Sequence, residues 1–191
     1  MRAQLGGGSR QSLLAARTAL DAAVKGVDAQ TASTLSAELF FAADILGSNN
    51  SVRRALTDTS RDGAAKSTLI KDLLASKVGT AATGLLTELS ALRWSGAKDL
   101  VQVIEQLAIE AEATAANISG ELDRVENEMF VVSKTISNSS ELRKAFKSDA
   151  QIAKAQLAAD LLKNASSSTT KLVSQMVNSW RGRSIESAFA D

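Results

Sequence analysis

Two short stretches hold both tryptophans of the chain, "LRWSG" at 92–96 and "NSWRG" at 178–182. In each, a glycine follows the Trp by two places, and an apolar run of helical spacing comes before it. If the two are one point of a unit used twice, the sequences around them must also align. Sliding one half over the other by 90 residues lays "ELFFAADILGSNNSVRRALT" (38–57) over "EMFVVSKTISNSSELRKAFK" (128–147). Glu38 then meets Glu128, Phe40 meets Phe130, Leu46 meets Ile136, Arg53 meets Arg143 and Leu56 meets Phe146. Shortening two later loops by two residues each brings Lys66 over Lys154, Leu73 over Leu161, Leu86 over Leu172 and Trp94 over Trp180. The gaps fall where loops are expected, and changes of loop length are thermodynamically cheap. An internal duplication of about 90 residues is the economical reading. That period is longer than the roughly 34–47 residues of common helical solenoids, so each unit reads as a small bundle.

The class of structure follows from composition. Proline is absent, and apolar residues recur at helical spacing almost throughout. The spacing predicts helices at about 10–25, 29–46, 50–57, 62–75, 80–94 and 97–118, then 120–137, 140–147, 150–164, 167–180 and a short piece after 183. Asp28, Ser51 and Asp62 are expected helix caps. Glycines 26, 47, 63, 79, 96, 120 and 182 are expected to end helices in the left-handed conformation. The expected fold is all-α: two tandem antiparallel helical bundles, with a flexible leader at 1–9, a first bundle at 10–96 and a second at 97–191. The helix at about 97–118 falls at the end of the first unit and the start of the second, so it is a candidate for a shared element.

Several functions are disfavoured. With neither Cys nor His, the chain lacks thiolate chemistry, the commonest metal ligands and the usual proton-transfer side chain. No metal site and no cofactor are expected, and no convergent polar cluster suggests an enzyme. The net charge of +1 gives no whole-molecule attraction to nucleic acid or anionic lipid. "LGGGSR" (5–10) lacks the Gly-Lys-Ser/Thr ending of a phosphate-binding loop. No apolar run approaches the ~20 residues of a membrane span, and the first ten residues do not resemble a signal peptide. A cytoplasmic protein is expected. The acidic stretch 101–130 reads as a solvated face, Phe40 and Phe130 as core, and the two Trp as bundle-end residues with the indole N–H bonded to a loop carbonyl.

The elements "SRQSLLAARTALD" (9–21), "VRRALTDTSRDGAAKSTLIKDLL" (52–74), "RWSGAKDLVQVIEQLAIEA" (93–111), "GELDRVENEMF" (120–130) and "RGRSIESAFAD" (181–191) together resemble the delta-subunit family of rotary ATP synthases. The resemblance is greatest to actinobacterial forms, whose amino-terminal helical domain looks partly duplicated. It implies a non-catalytic stator subunit that grips amino-terminal helices of alpha subunits atop the catalytic head. It also implies a peripheral place at the cytoplasmic face of the plasma membrane. Family members join the b subunit of the stalk through a carboxy-terminal domain that does not occur within these 191 residues, so the chain reads as a truncated form. In the family, the alpha-subunit helix lies between the first and fifth helices of the bundle. By position, this implies a groove in the second bundle with Val103, Leu107 and Ala111 on one wall and Leu172, Met176 and Trp180 on the other. The first bundle would offer Leu13, Leu20 and Val24 against Leu86, Leu89 and Leu92. Apart from the resemblance, a helical adaptor with an unrelated partner and a lipid-surface bundle are the rival readings.

Overall fold

The computed structural model describes residues 5–147 and 151–179, and every regular element within them is an α-helix. In chain order these are α1 (Gly7–Ala23), α2 (Ala29–Ser48), α3 (Asn50–Thr57), α4 (Gly63–Leu74), α5 (Thr80–Ala91) and α6 (Ala97–Ile118). There follow α7 (Leu122–Asn138), α8 (Ser140–Lys147), α9 (Gln151–Leu161) and α10 (Ser167–Ser179). The chain divides into two compact units, one of residues 4–115 and another running from Ala116 onward. Most of α6 therefore belongs to the first.

In the first unit α5 is the central helix, packing on α1, α2, α3 and α4. Its buried residues Ala82, Leu85, Leu86 and Leu89 recur at helical spacing, and each large one contributes about 1.5–3 kcal/mol when removed from water. Immediately beyond α5, the Trp94 indole is buried and its Nε1–H donates to the Leu89 carbonyl at 2.9 Å. One side chain thus fills the end of the bundle and satisfies a carbonyl near a helix terminus. Trp180, its partner in the sequence register, lies outside the described residues.

Local chemistry explains the boundaries. Asp28 Oδ1 accepts from the Thr31 amide at 2.7 Å, as an N-cap should, and these hydrogen bonds lower its pKa. Ser51 is not a cap, because α3 starts at Asn50 and Ser51 already lies inside its first turn. Asn49 takes that role, accepting from the Val52 amide at 3.3 Å. Asp62 stands at the N-cap position of α4 without a side-chain hydrogen bond. Among the described glycines only Gly26 (φ 73°) and Gly120 (φ 72°) are left-handed. At Gly120 the Glu121 amide reaches back to Ala116 O at 2.8 Å, which closes α6 in the manner a left-handed glycine permits. Gly47 lies inside α2, Gly63 opens α4 and Gly79 is the N-cap of α5. Gly6 is required for another reason: a Cβ there would sit 2.4 Å from Ser95 Cβ.

The second unit packs α7, α8, α9 and α10, with α10 against both α7 and α9. Val132, Ile136, Phe146, Ala158, Leu162, Val173, Met176 and Val177 form its core. Phe130 is not in it, being 65% exposed, contrary to the sequence expectation. The inward stripe of α7 runs Val125, Val132, Ile136, and Phe130 lies off that line. In α2 the buried face is broad enough to include both Leu39 and Phe40. Lys134 Nζ instead sits 5.7 Å from the Phe130 ring centroid, a favourable cation–π placement.

Replacing Trp94 tests this account of the bundle end. Trp94→Ala should destabilise the chain by about 3–5 kcal/mol, and Trp94→Phe, which keeps the ring but loses the donor, by about 1–3 kcal/mol. Urea denaturation followed by circular dichroism measures both. A loss of under about 0.5 kcal/mol for Trp94→Phe would refute the role of the N–H, and equal losses in the two variants would refute that of the ring.

Candidate partner-binding surfaces

Helix α1 is held against the start of α6 by a small polar cluster. The Ser9 amide donates to Ser95 Oγ at 3.3 Å, the Ser95 amide to Ser9 Oγ at 2.8 Å, and Ser9 Oγ to Asp99 Oδ2 at 2.6 Å. Ser12 Oγ adds a bond to the Arg93 carbonyl at 2.5 Å. Two turns further on, Arg17 pairs with Glu110 of α6 through Nη2–Oε1 at 2.5 Å. Hydrogen bonding to Glu110 is the largest cause of the raised pKa of Arg17. These contacts fix α1, the end of α5 and α6 together within the first unit.

On this frame the first-unit groove residues divide by depth. Leu20, Leu86 and Leu89 are buried, whereas Leu13, Val24 and Leu92 are half-buried. Leu14, on the outer side of α1, is 65% exposed. For the other groove, Val103, Leu107 and Ala111 of α6 are fully buried, and Leu172 and Met176 of α10 nearly so. Met176 belongs to the core of the second unit, while the three α6 residues fall within the first. Trp180 lies outside the described residues.

The expected acidic face is not uniformly solvated. Glu110 is engaged by Arg17, and Glu112 is only 2% exposed, with its Oε1 lacking any hydrogen-bond partner among the described residues. Glu128 holds the start of α10. Its Oε2 accepts from the Ser166 amide at 2.9 Å and from Ser166 Oγ at 2.7 Å, while Oε1 accepts from Arg124 Nε at 2.9 Å. Burial acts to raise the Glu128 pKa, but hydrogen bonds from Thr169, Ser166 and Arg124 outweigh it and lower the value to about 2. In the first unit Glu38 does the same work, its Oε1 accepting from the Gly79 amide at 2.8 Å at the start of α5. The sequence contained a signal for both latches, since Glu38 and Glu128 coincide in the register inside otherwise apolar runs. Beside Glu128 opens a shallow recess of about 300 Å³, lined by Val131, Val132, Leu161 and Ala165 with Asn127, Asp160, Lys163 and Asn164 around it.

No family model matches the chain, but curated relatives do. The ATP synthase subunit delta of Streptomyces coelicolor is 41% identical over 184 residues, covering 95% of this chain and 67% of the relative. That of Kineococcus radiotolerans is 36% identical over 94% of this chain and 66% of the relative. That of an Arthrobacter species is 34% identical over 93% of this chain and 67% of the relative. The chain spans about two thirds of the length of these relatives.

The Glu128 latch gives a pH signature. Its folded-state pKa is depressed, so its contribution to stability is full above the ordinary carboxylate range and is lost as pH falls through about 2. Glu128→Ala should cost about 1–3 kcal/mol at pH 7, and the gap from the parent should narrow steadily in acid. Urea midpoints from pH 7 down to pH 3 measure this. A gap independent of pH would contradict the ionised latch.

Proposed function

The chain belongs to the ATP synthase delta-subunit family, and on that premise we propose that it is a non-catalytic stator component of the rotary, proton-translocating enzyme. It binds amino-terminal helices of alpha subunits at the top of the catalytic head and resists the torque of the rotor. The observation that carries this reading is the match over nearly the whole chain to proteins named ATP synthase subunit delta. The all-helical architecture agrees with it. Among the described residues no helix is long and apolar enough to cross a membrane, which suits a peripheral position at the cytoplasmic face. Attachment to the b subunit belongs, on this reading, to the carboxy-terminal part of the full-length relatives.

We also infer that the two units are copies of one bundle. Residues paired by the sequence register perform the same local work. Asn49 and Ser139 each accept from the amide three residues on, Val52 and Leu142 respectively. Arg53 and Arg143 each turn back to carbonyls near the end of the preceding helix, Gly47 and Ser137. Lys66 and Lys154 are buried at corresponding points of α4 and α9, packing their aliphatic stems along the bundle.

The residues that this proposal assigns to docking, carried over from the family pattern by position, are Val103, Leu107 and Ala111, and Leu172, Met176 and Trp180. An amphipathic helix laid on such residues is read through anchors at i, i+3, i+4 and i+7. Four buried anchors supply about 6–12 kcal/mol before association and ordering costs. Because the five described members are already buried, a partner helix reaches them only by displacing what covers them.

Titrating the isotopically labelled chain with the alpha-subunit amino-terminal peptide tests the assignment by NMR. Shift changes should centre on α6 and α10. Changes confined to other helices would refute this groove, and an absence of any change would refute the partner.

A further inference from the structure

Docking on Val103, Leu107 and Ala111 requires part of α6 to become accessible, and the next residue in the chain bears on how that happens. Glu112 is the only buried carboxylate among the described residues. Half-buried carboxylates elsewhere are engaged: Glu110 pairs with Arg17, Asp99 accepts from Ser9, and Glu38 and Glu128 cap helices. Glu112 differs, being 2% exposed with an Oε1 that no donor among the described residues reaches. Ala108, Ala111, Ala115 and Ala116 beside it in the helix are buried and carry no side-chain donor, and the hydroxyl of the half-buried Thr114 donates to the Glu110 carbonyl instead. A carboxyl oxygen withdrawn from water without replacement hydrogen bonds opposes the packing that buries it.

We propose that Glu112 is a built-in weak point of α6, which keeps the cover of this helix marginal so that a partner helix can displace it. Opening returns the carboxylate to water or to a donor on the partner, while it exposes the apolar stripe one residue away. Local openings of this kind occur in segments whose burial is poorly compensated. The apparent affinity of the partner is then its intrinsic affinity multiplied by the fraction of time spent open. The second half of the proposal, displacement by a partner, rests on the reading given under Proposed function.

The test uses the full chain with Glu112→Leu and Glu112→Gln, hydrogen exchange of the α6 amides, and the alpha-subunit amino-terminal peptide as probe. For Glu112→Leu, Tm should rise by about 5 °C. Exchange across 103–116 should slow about tenfold, and the apparent Kd for the peptide should rise about tenfold as the open state is depopulated. Glu112→Gln should shift each quantity in the same direction by less, and it decides the matter if the leucine variant does not fold. A lower Tm in both variants would overturn the weak point, since Glu112 would then be a favourable contact. Slower exchange with unchanged peptide affinity would overturn its link to docking while leaving the docking reading intact. Slower exchange in a chain whose parent does not bind the peptide would overturn the docking reading and leave the weak point standing.

Discussion

The coverage of α6 is the constraint on which the rest of the structure turns. From Asp99 to Ala116 this helix has no exposed residue, although Gln102, Glu105, Gln106, Glu110 and Glu112 make it far from uniformly apolar. A helix so enclosed must place each polar group against something. Glu110 has Arg17, and Asp99 has Ser9. These bonds hold α1 in register along α6, and α1 in turn packs on α5. The first unit is organised around polar contacts at the two ends of this arrangement and leucines between them, and Glu112 is the position at which the arrangement is least well satisfied.

The same few devices serve both units. A carboxylate reaches an amide at the start of a later helix in each, Glu38 of α2 at Gly79 before α5 and Glu128 of α7 at Ser166 before α10. Helix ends leave unpaired amides and attract negative charge, so such a latch satisfies a donor and fixes a loop at once. The two units differ in how much they cover. Phe40 is buried on the broad inner face of α2, while Phe130 stands off the narrower inner stripe of α7 and is solvent-exposed. Identical register therefore does not bring identical burial, because burial depends on what packs against each face.

Most of the helical layout was legible in the sequence, since period and turn residues act locally. Helices α3 and α6 fall at the positions the apolar spacing predicts, and α5 ends sooner because Trp94 folds back onto Leu89 O. Local rules were less reliable for caps and glycines. Asn49 outcompetes Ser51, and Gly79 matters through a carboxylate 41 residues away. The burial of Glu112 could not be foreseen, as a Glu every few residues in an acidic stretch reads as a solvated face until the packing around it is known. The partner-binding set came through family resemblance, and periodicity alone would have described Val103, Leu107 and Ala111 simply as core.

Catalytic heads stripped of their own delta subunit provide the most direct test of the stator account. Incubated with this chain and sedimented, such heads should carry it down, and heads whose alpha subunits lack their amino-terminal segments should not. Failure to bind intact heads, or equal binding to heads with and without those segments, would contradict it.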